Sequence, residues 1–166
     1  MSDDGARVVR ADEREWTTED RGEFGFRRAK LGAAAGGERL GCSRYELPPG
    51  KRSFPLHYHL GNEEALYVLS GTGTLRTGTG TIELAAGDYV ACPVGEDGTH
   101  QVVNESDDTL TYLVISTMDE PDVTVYPDSN KVGLFAGAPP GGNSDERTLH
   151  TYLDADAQLD YYDGEP

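Results

Sequence analysis

From residue 41 onward, short β-prone runs alternate with turn residues at a spacing of about eight to ten positions, the pattern of an all-β sandwich or barrel. The runs cover residues 42–47, 53–59, 65–69, 73–77, 81–84, 89–92, 100–104 and 109–116. Pro48-Pro49-Gly50, Gly61-Asn62, Ser70-Gly71, Gly78-Thr79-Gly80, Ala86-Gly87-Asp88, Gly95 to Gly98 and Ser106-Asp107-Asp108 separate them. Eight short strands joined by tight turns predict a jelly-roll barrel over 41–118. Within a run, side chains alternate between faces, so Leu66, Val68 and Ser70 are expected to share the face of residue 64, and Val102 and Asn104 that of His100. Gly50, Gly71, Gly87 and Gly95 fall at strand ends and mark corners.

The flanks read differently. Residues 1–40 are charged and then Gly/Ala-rich, with weak helical potential at 27–37 that is broken by glycines. They are expected to form an irregular N-terminal arm, tied to the body by Trp16, Phe24 and Phe26. In 119–166, residues 123–126 suggest one more strand and 138–143 a linker. The stretch 145–166 is acidic and aromatic, and the extension is expected to pack on the barrel or on a partner subunit.

Composition narrows the setting. The net charge is −16, from 30 acids against 14 bases. That excess opposes nucleic acid and anionic membrane surfaces as partners. Its lysines are Lys30, Lys51 and Lys131, and its other bases are arginine. A distributed acid excess with little lysine suggests adaptation to high salt. Cys42 and Cys92 show no metal or redox spacing, and with the polar, acidic start Met1-Ser2-Asp3-Asp4 they suggest a reduced, cytoplasmic protein.

Candidate chemistry gathers around three of the four histidines. His57-Tyr58-His59 on a strand would direct both imidazoles to one face, although such a pair alone is compatible with plain surface or core. Glu63 and Glu64 follow a Gly61-Asn62 turn and point to opposite faces, so one of them can be inside. An antiparallel pairing of its run with the histidine strand would set Glu64 opposite them. His100 opens a later run. His150 is left over in the acidic tail and is expected to be solvated. Three imidazoles and a carboxylate form a mixed N/O donor set suited to a divalent transition ion, one of Mn, Fe, Ni, Co, Cu or Zn.

These residues resemble the two motifs of the cupin superfamily. The first runs from Gly50 through His57-x-His59 and Glu64 to Gly71, and its six residues between the acid and the last glycine favour Glu64 over Glu63. The second runs Gly87-Asp88, Pro93-x-Gly95, His100 and Asn104. The sequence departs from the second motif by placing four residues, rather than two, between Gly95 and His100. The resemblance covers about residues 41–116. It implies a double-stranded β-helix with one divalent metal on His57, His59, Glu64 and His100, and a small oxygenated ligand such as a sugar, sugar phosphate or organic acid. It implies a dioxygenase, an isomerase or epimerase, or a decarboxylase; the alternative is a non-catalytic binding or regulatory protein. A homodimer exchanging its arm is expected. Tyr45, Phe54 and Cys92 are candidate neighbours of the site, and Arg44, Tyr45 and Glu46 lie on a run expected near it. Nothing in the sequence selects an acid or base among these.

Overall fold

The computed structural model describes residues 5–166; the acidic start at residues 1–4 lies outside the described residues. Thirteen strands follow in chain order: β1 Thr17–Arg21, β2 Phe24–Lys30, β3 Leu40–Leu47, β4 Tyr58–His59, β5 Glu64–Ser70, β6 Thr72–Thr77, β7 Thr81–Ala85, β8 Tyr89–Cys92, β9 His100–Val103, β10 Leu110–Thr117, β11 Asp122–Tyr126, β12 Lys131–Ala136 and β13 Leu149–Asp154. The helical content among the described residues is single 3₁₀ turns. Among the described residues, no helix is long and apolar enough to cross a membrane.

One sheet has the order β1-β2-β3-β10-β5-β8. Facing it are β13-β12-β11-β4 and β7-β6-β9, which meet at a bridge between His57 and His100. The core sits between the layers. Phe26, Tyr45, Leu47, Leu66, Val68, Leu110 and Tyr112 of the first layer pack with Leu75, Leu84 and Val102 of the second. Alternation selects these side chains, because every second residue of a strand turns inward. Asn104 is fully buried, and its amide donates to the carbonyls of Leu47 and Asp108, closing a strand end. Asp88 holds its turn by accepting from the Ala85 amide.

Three expectations need correction. The N-terminal segment is not an irregular arm throughout, because β1 and β2 form a hairpin that extends the first sheet through β3. Phe24, Phe26, Arg28 and Lys30 occupy every second place of β2, a strand period that outweighs the weak helical propensity of 27–37. The run 53–59 pairs regularly only at Tyr58–His59 and otherwise through isolated bridges. Pro55 lacks the N–H a regular ladder requires. Ser70 is exposed rather than inward, since the register between β10 and β5 shifts at Thr111/Tyr112. The C-terminal extension supplies β11, β12 and β13, and β11 lies against β4 of the same chain.

Candidate metal centre

The two histidines of β4 and the strand segment before it project into the interior, and His100 joins them from β9. Glu64 arrives from β5 in the opposite sheet. Strand β5 pairs with β10 and β8, not with β4, so Glu64 meets the histidines across the barrel rather than along a ladder. Its Oε2 lies 3.2 Å from His100 Nε2, 3.5 Å from His59 Nε2 and 3.9 Å from His57 Nε2. Ligand atoms of His57, His59 and Glu64 all fall within 4.8 Å of one another. His100 lies outside that tightest trio, yet makes the shortest contact with the carboxylate. Glu63 is exposed, as its opposite face requires.

Each imidazole is fixed by its other nitrogen. His57 Nδ1 is 2.8 Å from the Pro55 carbonyl, His100 Nδ1 is 2.8 Å from the Gly98 carbonyl, and His59 Nδ1 is 2.6 Å from Asp122 Oδ2. A carbonyl or carboxylate acceptor at each Nδ1 turns every Nε2 toward one point, the usual outer arrangement of metal-binding histidines. The longer loop before His100 is absorbed by a 3₁₀ turn, Glu96–Gly98, that supplies the Gly98 carbonyl. A Cβ on Gly98 would overlap the Pro93 carbonyl, so the turn accepts only glycine there.

Protonation follows from burial and neighbours. Burial, reinforced by His100, drives His57 down to about 3, so it stays neutral. Burial also opposes charge on His59, but hydrogen bonds to Asp122 and Glu64 outweigh it and lift the group to about 9. Against the same burial, Cys92 and Glu64 lift His100 to about 10. For Glu64, burial would raise the carboxyl, yet hydrogen bonds from His100 and His59 hold it well below its ordinary value. Without metal, the centre stores positive charge on two imidazoles around an ionised carboxylate. A divalent ion bound there would take the place of those protons. Three nitrogens, one carboxylate oxygen and braced Nδ1 atoms fit a mixed N/O transition ion.

The centre forms one part of a cavity of about 740 Å³. Tyr45, Phe54, Tyr112, Thr124 and Tyr126 line it near the histidines. Tyr126 stacks over His57 at 6.0 Å, and Tyr45 stacks on Tyr112 at 5.5 Å. Arg44 and Glu46 turn outward, where Glu46 pairs with Arg27, so alternation leaves Tyr45 as the inward candidate of that strand. Cys92 is buried beneath His100 and belongs to the core. Cys42 and Cys92 are both free thiols. His150 is exposed, as expected of a solvated residue, but its ring stacks on Phe135 at 4.8 Å and also lines the cavity.

The model of the cupin domain matches residues 43–116. A protein from Acidithiobacillus ferrooxidans, provisionally named a sugar phosphate isomerase, is 32% identical with a TM-score of 0.65, and the match covers 80% of each chain. The chain belongs to the cupin superfamily. The fold extends to a cupin named a sugar phosphate isomerase from Silicibacter pomeroyi, with a TM-score of 0.77 at 24% identity over 95% of this chain and 98% of that one. A predicted oxalate decarboxylase from Thermotoga maritima is 28% identical with a TM-score of 0.59, over 67% of this cupin and 98% of its own length. No curated protein matches the chain in sequence.

The motif residues of this cupin were legible beforehand, but Asp122 was not. It is fully buried and accepts from His59 and from the Gly61 amide, with its carboxyl held low by both despite burial. It lies outside both motifs, and only the pairing of β11 with β4 brings it to His59. Arg28 and Lys30 were missed as cavity residues, although the period-2 pattern Phe24-x-Phe26-x-Arg28-x-Lys30 carries their signal.

Proposed function

We propose that this cupin holds one divalent transition metal ion on His57, His59, Glu64 and His100 and acts as an isomerase or epimerase on a small polyhydroxylated molecule. The observation that carries this reading is the convergence of three Nε2 atoms on one Glu64 oxygen while every Nδ1 is occupied. A bound ion would supply Lewis acidity toward a substrate carbonyl or hydroxyl oxygen. The chain's own residues do the rest. Apolar walls from Leu66, Val102 and Phe54 exclude water around the centre, which strengthens electrostatic interactions there. Tyr45 and Tyr126 hold phenolic protons inside the cavity, and burial raises both above the ordinary tyrosine value, so each would enter a reaction as a protonated acid. Isomerisation is favoured over the dioxygenase and decarboxylase readings by the likeness to the Acidithiobacillus protein over most of both chains.

Metal analysis of the purified protein is the first test. Wild type should carry about one equivalent of ion, and Glu64→Gln and His100→Ala should each lose most of it. If both variants keep full metal content, the site assignment fails. Incubation of the loaded protein with aldoses and ketoses in deuterated water should then show exchange at the carbon next to the carbonyl. Binding without exchange or turnover would favour a sensing role.

A further inference from the structure

The metal centre occupies only part of the 740 Å³ cavity, which is large enough for an organic molecule of substrate size. Away from the histidines, the wall becomes cationic. Arg28, Lys30, Lys131 and Arg147 all line the cavity, and none pairs with a carboxylate among the described residues. That is unexpected in a chain with 30 acids and 14 bases, where cations elsewhere readily find acids.

Three of the four form a group. Arg28 and Lys30 share the inward face of β2. Lys30 Nζ donates to the Gly142 carbonyl at 3.0 Å, which ties β2 to the loop before Arg147. Arg147 donates to the Ala138 carbonyl at 3.2 Å and the Pro139 carbonyl at 3.0 Å, and its guanidinium stacks over Phe135 at 5.0 Å. Burial, then Arg28 and Arg147, lower the Lys30 ammonium, as expected for three like charges held close. The Arg28 Nε is buried and has no hydrogen-bond partner. Arg28, Tyr45 and Glu64 all line the one cavity, so the cationic group and the metal centre share one interior.

We infer that Arg28, Lys30 and Arg147 form an anion subsite that receives the phosphate of a phosphorylated substrate whose oxygenated end lies at the histidine centre. The inference rests on the metal-centre reading for the second half of that sentence only. A phosphate monoester fits better than a carboxylate. Its dianion and three terminal oxygens can take the Arg28 fork, the Lys30 ammonium and the Arg147 N–H groups not engaged by the Ala138 and Pro139 carbonyls, whereas one guanidinium already satisfies a carboxylate. Held this way, the substrate would be oriented from its far end, with its reacting carbons fixed against Tyr45 and Tyr126.

Calorimetric titration tests the subsite with inorganic phosphate, glucose 6-phosphate, glucose and malonate, on both metal-loaded and chelator-stripped protein. Inorganic phosphate should bind both forms, and glucose 6-phosphate should bind far more tightly than glucose. Arg28→Gln and Arg147→Gln should each weaken phosphate binding about tenfold or more, with metal content unchanged. Lys30→Arg should retain binding, which separates loss of charge from loss of fold. Phosphate binding that persists in both glutamine variants and vanishes with the metal would place the anion on the ion and overturn the subsite. Tighter binding of malonate than of phosphate would overturn the phosphate assignment. Loss of metal binding with phosphate binding intact would sink the proposed function while leaving the subsite standing.

Discussion

Asp122 shows how a single buried carboxylate sets the chemistry of its neighbour. It accepts from His59 Nδ1 at 2.6 Å, orients the ring and raises its proton affinity. Before His59 Nε2 can coordinate, the imidazolium must give up a proton, so apparent metal affinity should climb as pH rises toward about 9. In the metal-free chain the linkage runs the other way. A value raised from 6.5 to about 9 means the charged ring stabilises the fold below 6.5, and that stabilisation is lost as pH climbs through about 9. Asp122→Asn keeps the shape but removes the charge. It should weaken metal binding about tenfold to a hundredfold and move the rise in affinity to lower pH. Chelator competition across a pH series measures both effects; an unchanged profile would show that Asp122 does not govern His59.

At the scale of elements, the β1–β2 hairpin does more than lengthen a sheet. Its outer face is held by Trp16, over whose ring Arg27 and Arg44 lie at 4.9 and 5.7 Å, and by the Arg27–Glu46 pair at 2.8 Å. Its inner face supplies Phe26 to the core and Arg28 and Lys30 to the cavity. Phe26 is 6% exposed and packs against Tyr45 and Phe54 at 5.3 and 4.8 Å. Phe26→Ala should cost about 3–5 kcal/mol by the usual penalty for emptying an aromatic site. Because Tyr45 and Phe54 also border the metal centre, hydrogen exchange should quicken in both β2 and β3. Denaturant unfolding checks the stability, and a cost below about 1 kcal/mol would mean the hairpin is not coupled to the core.

Over the whole molecule, charge dominates. A net −16 repels itself at low salt, while most of the ion pairs are exposed and individually worth about 0–1 kcal/mol. Raising salt from about 0.1 to about 1 M shortens the screening length from about 10 to about 3 Å, so relief of repulsion should outweigh the weakened pairs and the melting temperature should rise. A melting temperature that falls with salt would mean the ion pairs carry more than their exposure suggests. The same scale separates what was readable in the chain from what was not. Turn spacing and period-2 patterning were enough for the all-β barrel, because both depend on local strand geometry, whereas His57, His59, Glu64 and His100 were nominated by their likeness to the two cupin motifs. The hairpin at 17–30 was obscured because weak helical propensity and glycines masked a short alternating pattern. The meeting of Glu64 with the histidines across the barrel, the bracing of His59 by Asp122, and the joining of Arg28 and Lys30 to Arg147 were decided by tertiary structure alone. Each links residues far apart in the chain, and strand pairing between distant segments leaves no local periodicity to read.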